Sequence, residues 1–137
     1  PINPGHNGNW WSGLSRDGEG AQVEVADAGN GQFVFVVTIY SYAPGGGQIF
    51  LIGVGTPDGT TVNIDVFITS GGEWGPGFDP AQTPQTQWGT GVVTSNGCDA
   101  LTIALTPNAQ FQTEGYTAFT LNLQRLTTAL VPCPYEG

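Results

Sequence analysis

Apolar and polar residues alternate with a period of two along most of this chain, a pattern typical of strands that bury one face. The clearest run is 61–69, where Val62, Ile64, Val66 and Ile68 share one face. Similar runs, separated by turns that contain Gly, Asn or Pro, predict eight strands. They lie around Trp10 and Trp11 and at residues 21–27, 33–42, 48–55, 61–69, 88–94, 98–106 and 116–126. No window places apolar residues at helical spacing, so the chain is predicted to be all-β.

Short turns join the predicted strands, so neighbours in the chain are expected to pair as antiparallel hairpins. The strongest turn is AGNG at 28–31, because Asn and Gly tolerate positive φ. Eight such strands form a meander, which can close into a barrel or divide into the two sheets of a β-sandwich. We expect a closed or nearly closed barrel, because closure removes exposed strand edges and this chain has no lysine to protect one. The sandwich is the alternative.

Two segments depart from regular alternation. Residues 33–42 read FVFVVTIYSY, β-branched or aromatic at nearly every position, so both faces of this strand are expected to be buried or covered. Residues 70–87 are rich in Gly and Pro and cannot form a central strand. A loop of this length in a compact domain is usually functional or specially packed.

The composition indicates one domain over residues 1–137, long enough for a single core. A hydrophobic fraction of 39% excludes a disordered chain. No apolar run approaches the roughly 20 residues of a membrane helix, so membrane insertion is not expected. The opening PINPGHNGN has no basic region and suits a processed, mature form. We expect a Pro/Gly-rich N-terminal arm over 1–9 and a C-terminal tail over 127–137.

The charge balance excludes some classes of partner. Only Arg16 and Arg125 are positive against eleven carboxylates, which gives a net charge of −9. Nucleic acid is excluded as a partner and anionic membrane surfaces are disfavoured, because both are bound by clustered Lys and Arg. With only 9% charged residues, the surface is carried by Thr, Asn, Gln, Ser and Gly. Such surfaces are common on extracellular and cell-surface proteins, and a secreted location is predicted.

Cys98 and Cys133 are the only cysteines, and an even count in an acidic, lysine-free chain predicts a disulfide. The bond would tether the C-terminal tail and close a loop of about 36 residues, which stabilises a fold by roughly 3–4 kcal/mol. The alternatives are two buried thiols or, less favoured, a metal site shared with His6.

Arg125 is predicted to point inward, because it continues the apolar face of Phe119, Leu121 and Leu123. An inward guanidinium needs a stacking partner, and Trp10 on the first strand offers one. A G-x-W at Gly8–Trp10, together with an Arg on the last strand, resembles the signature of the calycins, the superfamily of lipocalins and avidins. The resemblance implies an eight-stranded barrel with Arg125 packed over Trp10 at one end. The segments GNWW, RDGEG and GYTAFTLNLQRL are also similar to a group of secreted bacterial β proteins of uncharacterised function.

Acidic pairs are the strongest indication of catalysis in the sequence, but the indication is weak. Asp17 with Glu19, or Asp65 with Asp79, supply the residue types of a glycoside hydrolase, but turns explain nearly all of them. Asp17 and Glu19 also offer oxygen ligands for calcium without the spacing of a calcium loop. His6 is the only possible imidazole base. We therefore predict no catalytic residue, no metal and no cofactor, and a protein that is not an enzyme.

Trp11, Trp74 and Phe78 are the candidate contact residues, because aromatic side chains are enriched at binding surfaces. The alternative is that they cover the barrel mouth. We expect an extracellular structural or interaction protein, a self-assembling subunit of a surface fibre or layer whose partner is itself. The long loop and the Pro-rich termini would be its docking arms. The alternative function is a calycin-like binding protein for a small apolar ligand or a glycan.

Overall fold

The computed structural model describes residues 1–128 and 130–135 and is all-β. Eight antiparallel strands form one closed ring in which each strand pairs with the next. The strands are β1 Gly8–Trp11, β2 Gly20–Gly29, β3 Gln32–Tyr42, β4 Gln48–Asp58, β5 Thr61–Thr69, β6 Gln85–Ser95, β7 Ala100–Pro107 and β8 Phe119–Arg125. β8 returns to pair with β1, with Arg125 opposite Trp10. The predicted meander and barrel are confirmed, and the sandwich is not formed.

The core lies inside the ring and consists of the alternating residues that the sequence marks as inward. On β5, Val62, Ile64 and Val66 are fully buried, and Ile68 is partly buried near the strand end. The same alternation buries one face of every strand, so the period of two is the direct cause of the closed core. Other inward residues are Ala21, Val23, Val25, Phe35, Val37, Ile39, Leu101, Ile103, Leu105, Leu121 and Leu123.

Short helical pieces lie between the strands, and sequence periodicity did not predict them. α1 spans Ala109–Thr113, and 3-10 turns occupy Pro4–His6, Leu14–Arg16, Gly75–Gly77 and Pro80–Gln82. Pieces of three to five residues are too short to show a helical repeat. The strand bounds differ from the predicted ones as well, because β8 begins at Phe119 rather than Tyr116 and β6 begins at Gln85, before the predicted end of the long loop. Within the described residues, no helix is both long enough and apolar enough to cross a membrane.

The expectation that β3 is covered on both faces is wrong, because its outer face is partly exposed. Phe35, Val37 and Ile39 point into the barrel, but Tyr40 and Tyr42 on the other face are 48% and 46% exposed. Apolar residues on both faces do not bury both faces here, because alternation in a single closed sheet leaves one face outside the barrel.

The N-terminal arm fills one end of the barrel, which we call the closed end. Ile2 is 2% exposed, and its N–H donates to the carbonyl of Gly59 in the β4–β5 turn at 2.8 Å. Asn3 and His6 are also buried. The arm is therefore packed on its own barrel and is not free to act as a docking arm. It also ends earlier than the predicted bounds of 1–9, because β1 begins at Gly8.

The C-terminal tail is tied to the same end by the predicted disulfide, which is confirmed. Cys98 lies in the β6–β7 connection and Cys133 in the tail, with their Cα atoms 5.8 Å apart. The ring of Tyr135 contacts Phe33 edge-on, with centroids 6.0 Å apart. Neither cysteine is available as a thiol nucleophile or a metal ligand.

Candidate functional site

A cavity of about 230 Å³ opens at the other end of the barrel, which we call the open end. The meander brings four connections here, residues 12–19, 43–47, 70–84 and 108–118, which we call the mouth connections. The floor is formed by inward side chains near the strand ends, namely Ile39, Leu51, Leu105 and Leu121. Below them the barrel is filled, so the cavity is a cup and not a channel.

Aromatic side chains form the wall of the cup. Trp88 and Tyr116 meet edge to face with ring centroids 5.6 Å apart, and Tyr42 and Phe119 line the cavity as well. Burial raises the pKa of the Tyr116 hydroxyl, and the nearby carboxylate of Glu114 raises it further. The tyrosine is therefore a neutral hydrogen-bond donor at physiological pH.

A β-bulge places Trp88 inside the barrel. On β5 the register runs from Val66 opposite Gly89 to Phe67 opposite Gln87, so Trp88 is the extra residue of β6. Trp88 and Gly89 are both buried in succession, which regular alternation forbids. The indole Nε1 of Trp88 is buried without a hydrogen-bond partner among the described residues.

Arg16 and Glu19 form an ion pair at the edge of the cavity, which we call the rim pair. Arg16 Nε and Nη2 donate to the two carboxylate oxygens of Glu19 at 2.6 and 3.0 Å, and Ser41 Oγ donates to Oε2 at 2.7 Å. The guanidinium lies over the ring of Phe119 at 4.4 Å. Burial would raise the pKa of Glu19, but hydrogen bonds from Arg16 and Ser41 outweigh it and hold that pKa below its usual value.

Arg125 closes the opposite end, in the contact expected from the sequence. Its guanidinium lies over the Trp10 ring at 4.6 Å. All five of its N–H groups donate to backbone carbonyls, which suits the planar fork of an arginine. The acceptors are the carbonyl oxygens of Gly5, Asn7, Cys98 and Thr127. One side chain thus joins the arm, the β6–β7 connection and the start of the tail.

His6 is a structural residue of the closed end, far along the barrel from the cup. Its Nδ1 lies 3.2 Å from the backbone nitrogen of Asn3, and in the tautomer that accepts this hydrogen bond Nε2 donates to the carbonyl of Gly97 at 3.2 Å. Burial lowers the pKa of His6, and the positive charge of Arg125 adds to this effect. Asn3 is a local partner, whereas Gly97 and Arg125 are distant in the chain, so no local pattern in the sequence indicates their contacts with His6.

The three predicted contact residues lie outside the cup. Trp74 is 97% exposed and Phe78 is 54% exposed, both in the β5–β6 connection. Trp11 is half-buried on β1, and its indole N–H donates to Asp17 Oδ1 at 3.1 Å. These three residues do not line the cavity, and the structure therefore does not place them over the barrel mouth.

The carboxylates considered as acidic pairs each have a different partner or position. Glu19 binds Arg16, while Asp17 binds Trp11. Asp79 caps a 3-10 turn by accepting from the N–H of Ala81, and Asp65 lies on the exposed face of β5. Among residues 1–128 and 130–135, no group of three or more His, Cys, Asp or Glu side chains is placed to hold a metal ion.

From the sequence, a ligand site was expected only as the alternative, and the residues of the cup were not identified, although a partial signal was present. Ile39, Leu51, Leu105 and Leu121 were all recognisable as inward residues at one end of their strands. The inward position after Ile39 is Ser41, a polar residue where the core pattern calls for an apolar one. Polar or aromatic inward residues at strand ends indicate a lined opening and not a filled core.

Comparison of the chain with models of known families, with curated proteins and with solved structures gives no match. The function is therefore inferred from the geometry of the cup and the surface.

Proposed function

We propose that this protein is an extracellular, calycin-like binding protein, not an enzyme, that holds a small apolar ligand in the cup. The observation that carries this proposal is the cavity of about 230 Å³ at the open end of a barrel that is otherwise filled. A dry cavity of about 150 Å³ holds benzene, and sites for drug-sized ligands begin near 300 Å³. The expected ligand is therefore a one-ring or two-ring compound or a short aliphatic chain.

The rest of the molecule supports this proposal. The disulfide is compatible with an oxidising, extracellular compartment. The stacking of Arg125 on Trp10 supports the calycin resemblance. The floor residues of the cup lie on paired strands of the closed barrel, so the site is preformed, and a preformed site loses little entropy on binding.

The test is a thermal-shift screen of small aromatic and aliphatic compounds, followed by calorimetric titration. A ligand at a hundred times its Kd should stabilise the fold by about 2.7 kcal/mol. Leu105→Trp, which extends a lining side chain into the cup, should abolish binding while the variant still folds. Leu126→Trp is the matched control, because Leu126 is 61% exposed. Equal binding by both variants would rule the cup out as the site.

Self-association is the second candidate function, and an exposed apolar surface favours it. The outer residues of β3 and β4 pair Val36 with Val54 and Tyr40 with Phe50. Tyr40, Phe50 and Val54 are 48%, 43% and 39% exposed, and the outer positions of both strands between them carry no charge. We call this surface the β3–β4 face. A second copy could cover it around a two-fold axis, with the same residues on both sides.

A fibre or layer would need a further contact surface, because a two-fold contact alone ends at a dimer. Trp74 is the candidate, since it is almost fully exposed in the β5–β6 connection. Sedimentation velocity tests both steps. Phe50→Glu should prevent the dimer and Trp74→Ala should prevent larger species, while Asn122→Glu on the exposed face of β8 should change neither. A wild-type protein that stays monomeric at high concentration would end this candidate.

A further inference from the structure

The rim pair gives the cup a chemical preference. Glu19 is the only buried carboxylate among the described residues, and it is 6% exposed at the edge of a cavity whose floor is apolar. Burying a carboxylate is unfavourable unless it is paired, and Arg16 provides that pairing from a position that is 47% exposed. The arrangement is already a cation site, occupied by a side chain of the protein itself.

One acceptor position of Glu19 is not filled by a well-formed hydrogen bond. A carboxylate accepts about four hydrogen bonds, and Glu19 receives two from Arg16 and one from Ser41. The Ser12 hydroxyl, which is buried with no hydrogen-bond partner of its own among the described residues, lies close enough to help lower the pKa of Glu19 and would compete with a ligand for this position. Oε2 receives two of these bonds and Oε1 receives one, so the open position is on Oε1. A ligand N–H or O–H is the group that fits this position.

The aromatic wall favours a positively charged donor over a neutral one. Cations are attracted to the faces of aromatic rings, and Arg16 itself lies over Phe119 at 4.4 Å. Trp88, Tyr42 and Tyr116 line the same cavity and provide further rings.

The charge around the opening also favours a cationic ligand. The four mouth connections contain one arginine and five carboxylates, a net charge of −4. The carboxylates are Asp17, Glu19, Glu73, Asp79 and Glu114. A field of this sign attracts cations to the mouth and repels anions such as fatty acids.

We propose that the ligand of the cup is a small organic cation, an amine with an aromatic or short aliphatic body whose ammonium group binds Glu19. This inference rests on the proposed binding function. The apolar body fills the floor between Ile39 and Leu121, and the ammonium donates to Oε1 of Glu19 beside Arg16.

Three probes of one shape test the charge preference, namely protonated benzylamine, neutral benzyl alcohol and anionic benzoate. Calorimetry at pH 7 and low salt should show benzylamine binding about tenfold more tightly than benzyl alcohol, as a charge-assisted hydrogen bond predicts, and benzoate weakest. The advantage of benzylamine should shrink in 1 M NaCl, because salt screens the mouth charge.

Two variants separate the role of Glu19 from damage to the fold. Glu19→Gln removes the charge at constant shape, and the preference for benzylamine should disappear. Arg16→Gln frees the carboxylate from its internal cation, and benzylamine should then bind more tightly than to the wild type. Loss of structure would weaken all three probes in both variants. If Glu19→Gln does not fold, the direction of the change in Arg16→Gln decides the matter.

The outcomes distinguish the two levels of the proposal. If the three probes bind equally, or if benzoate binds most tightly, the amine inference is wrong and the binding function stands. If none binds and the broader screen also finds no ligand, the binding function fails and the inference fails with it.

Discussion

Arg125 shows how much of the closed end depends on one side chain. Its five N–H groups reach carbonyls in three segments that are far apart in the chain, and its flat face covers Trp10. Lysine cannot replace it, because an ammonium group has three donors, no planar fork and no flat face. The guanidinium therefore holds the arm, the β6–β7 connection and the start of the tail together through its hydrogen bonds.

Arg125→Lys should destabilise the fold by about 2–4 kcal/mol, since several partly buried carbonyls lose their donor. Urea unfolding followed by tryptophan fluorescence measures this loss. Asn122→Ala, on the exposed side of the same strand, should change stability by less than about 0.5 kcal/mol. If the free energy of unfolding of the lysine variant lies within 1 kcal/mol of the wild type, the hydrogen bonds of Arg125 are not needed for stability.

His6 should make stability depend on pH at the closed end. Its pKa is lowered in the folded state, mainly by burial, so the unfolded chain binds the proton more readily. The contribution of His6 is therefore complete above its unfolded pKa of about 6.5 and is lost as the pH falls below that value. Glu19, whose folded pKa is also lowered, adds a second loss that begins below its unfolded pKa of about 4.5.

Denaturant midpoints between pH 8 and pH 3.5 check this prediction. The wild type should lose stability in two steps, below pH 6.5 and below pH 4.5. His6→Gln, which keeps a donor for Gly97, should be less stable at pH 8 and should lack the first step. A first step that persists in His6→Gln would assign it to another group.

At the scale of the strand, alternation was enough to predict all eight strands but not the exceptions that shape the cup. The bulge in β6 puts Trp88 and Gly89 inside in succession, and its one local sign is a glycine within the strand pattern, which does not by itself specify a bulge. At this point Gly89 lies close to the backbone of β7, at Thr106 and Pro107. The tight pairing there needs a residue without a side chain.

Gly89→Ala should disrupt this pairing, because a Cβ at that position would overlap the carbonyl oxygen of Thr106. We expect a loss of about 2 kcal/mol or more and weaker ligand binding, since Trp88 would move. Gly45→Ala in the β3–β4 connection is the matched control, because its Cβ would meet no atom within 4 Å. If Gly89→Ala keeps full stability, the close approach of β6 and β7 does not require glycine.

At the scale of the whole molecule, the sequence predicted the barrel but not the difference between its two ends. The N-terminal arm and the 70–84 loop are both rich in Gly and Pro, so composition cannot tell which folds into the barrel opening. The difference arises from tertiary contacts, because Ile2 and His6 find buried positions while Trp74 does not. Local patterns determine which residues face inward, and long-range packing determines where space is left.

Removal of the disulfide should show how firmly the tail holds the closed end. Cys98 and Cys133 are 35 residues apart in sequence, and loop-closure entropy for such a loop is worth about 3–4 kcal/mol. The double variant Cys98→Ala/Cys133→Ala should lose about this much in denaturant unfolding and should still bind ligand at the open end. A loss below 1 kcal/mol would mean that other contacts, such as Tyr135 on Phe33, hold the tail.

The net charge of −9 should make the molecule more stable as salt is added. Eleven carboxylates face only two arginines, so repulsion among carboxylates outweighs the ion pairs that salt would also weaken. Between 0.01 M and 1 M NaCl the screening length falls from about 30 to about 3 Å, and we expect Tm to rise by several degrees. Glu24→Gln/Asp65→Asn removes two exposed charges and should show a smaller rise. A Tm that falls with salt would instead mean that the rim pair and the contacts of Arg125 contribute more than the repulsion costs.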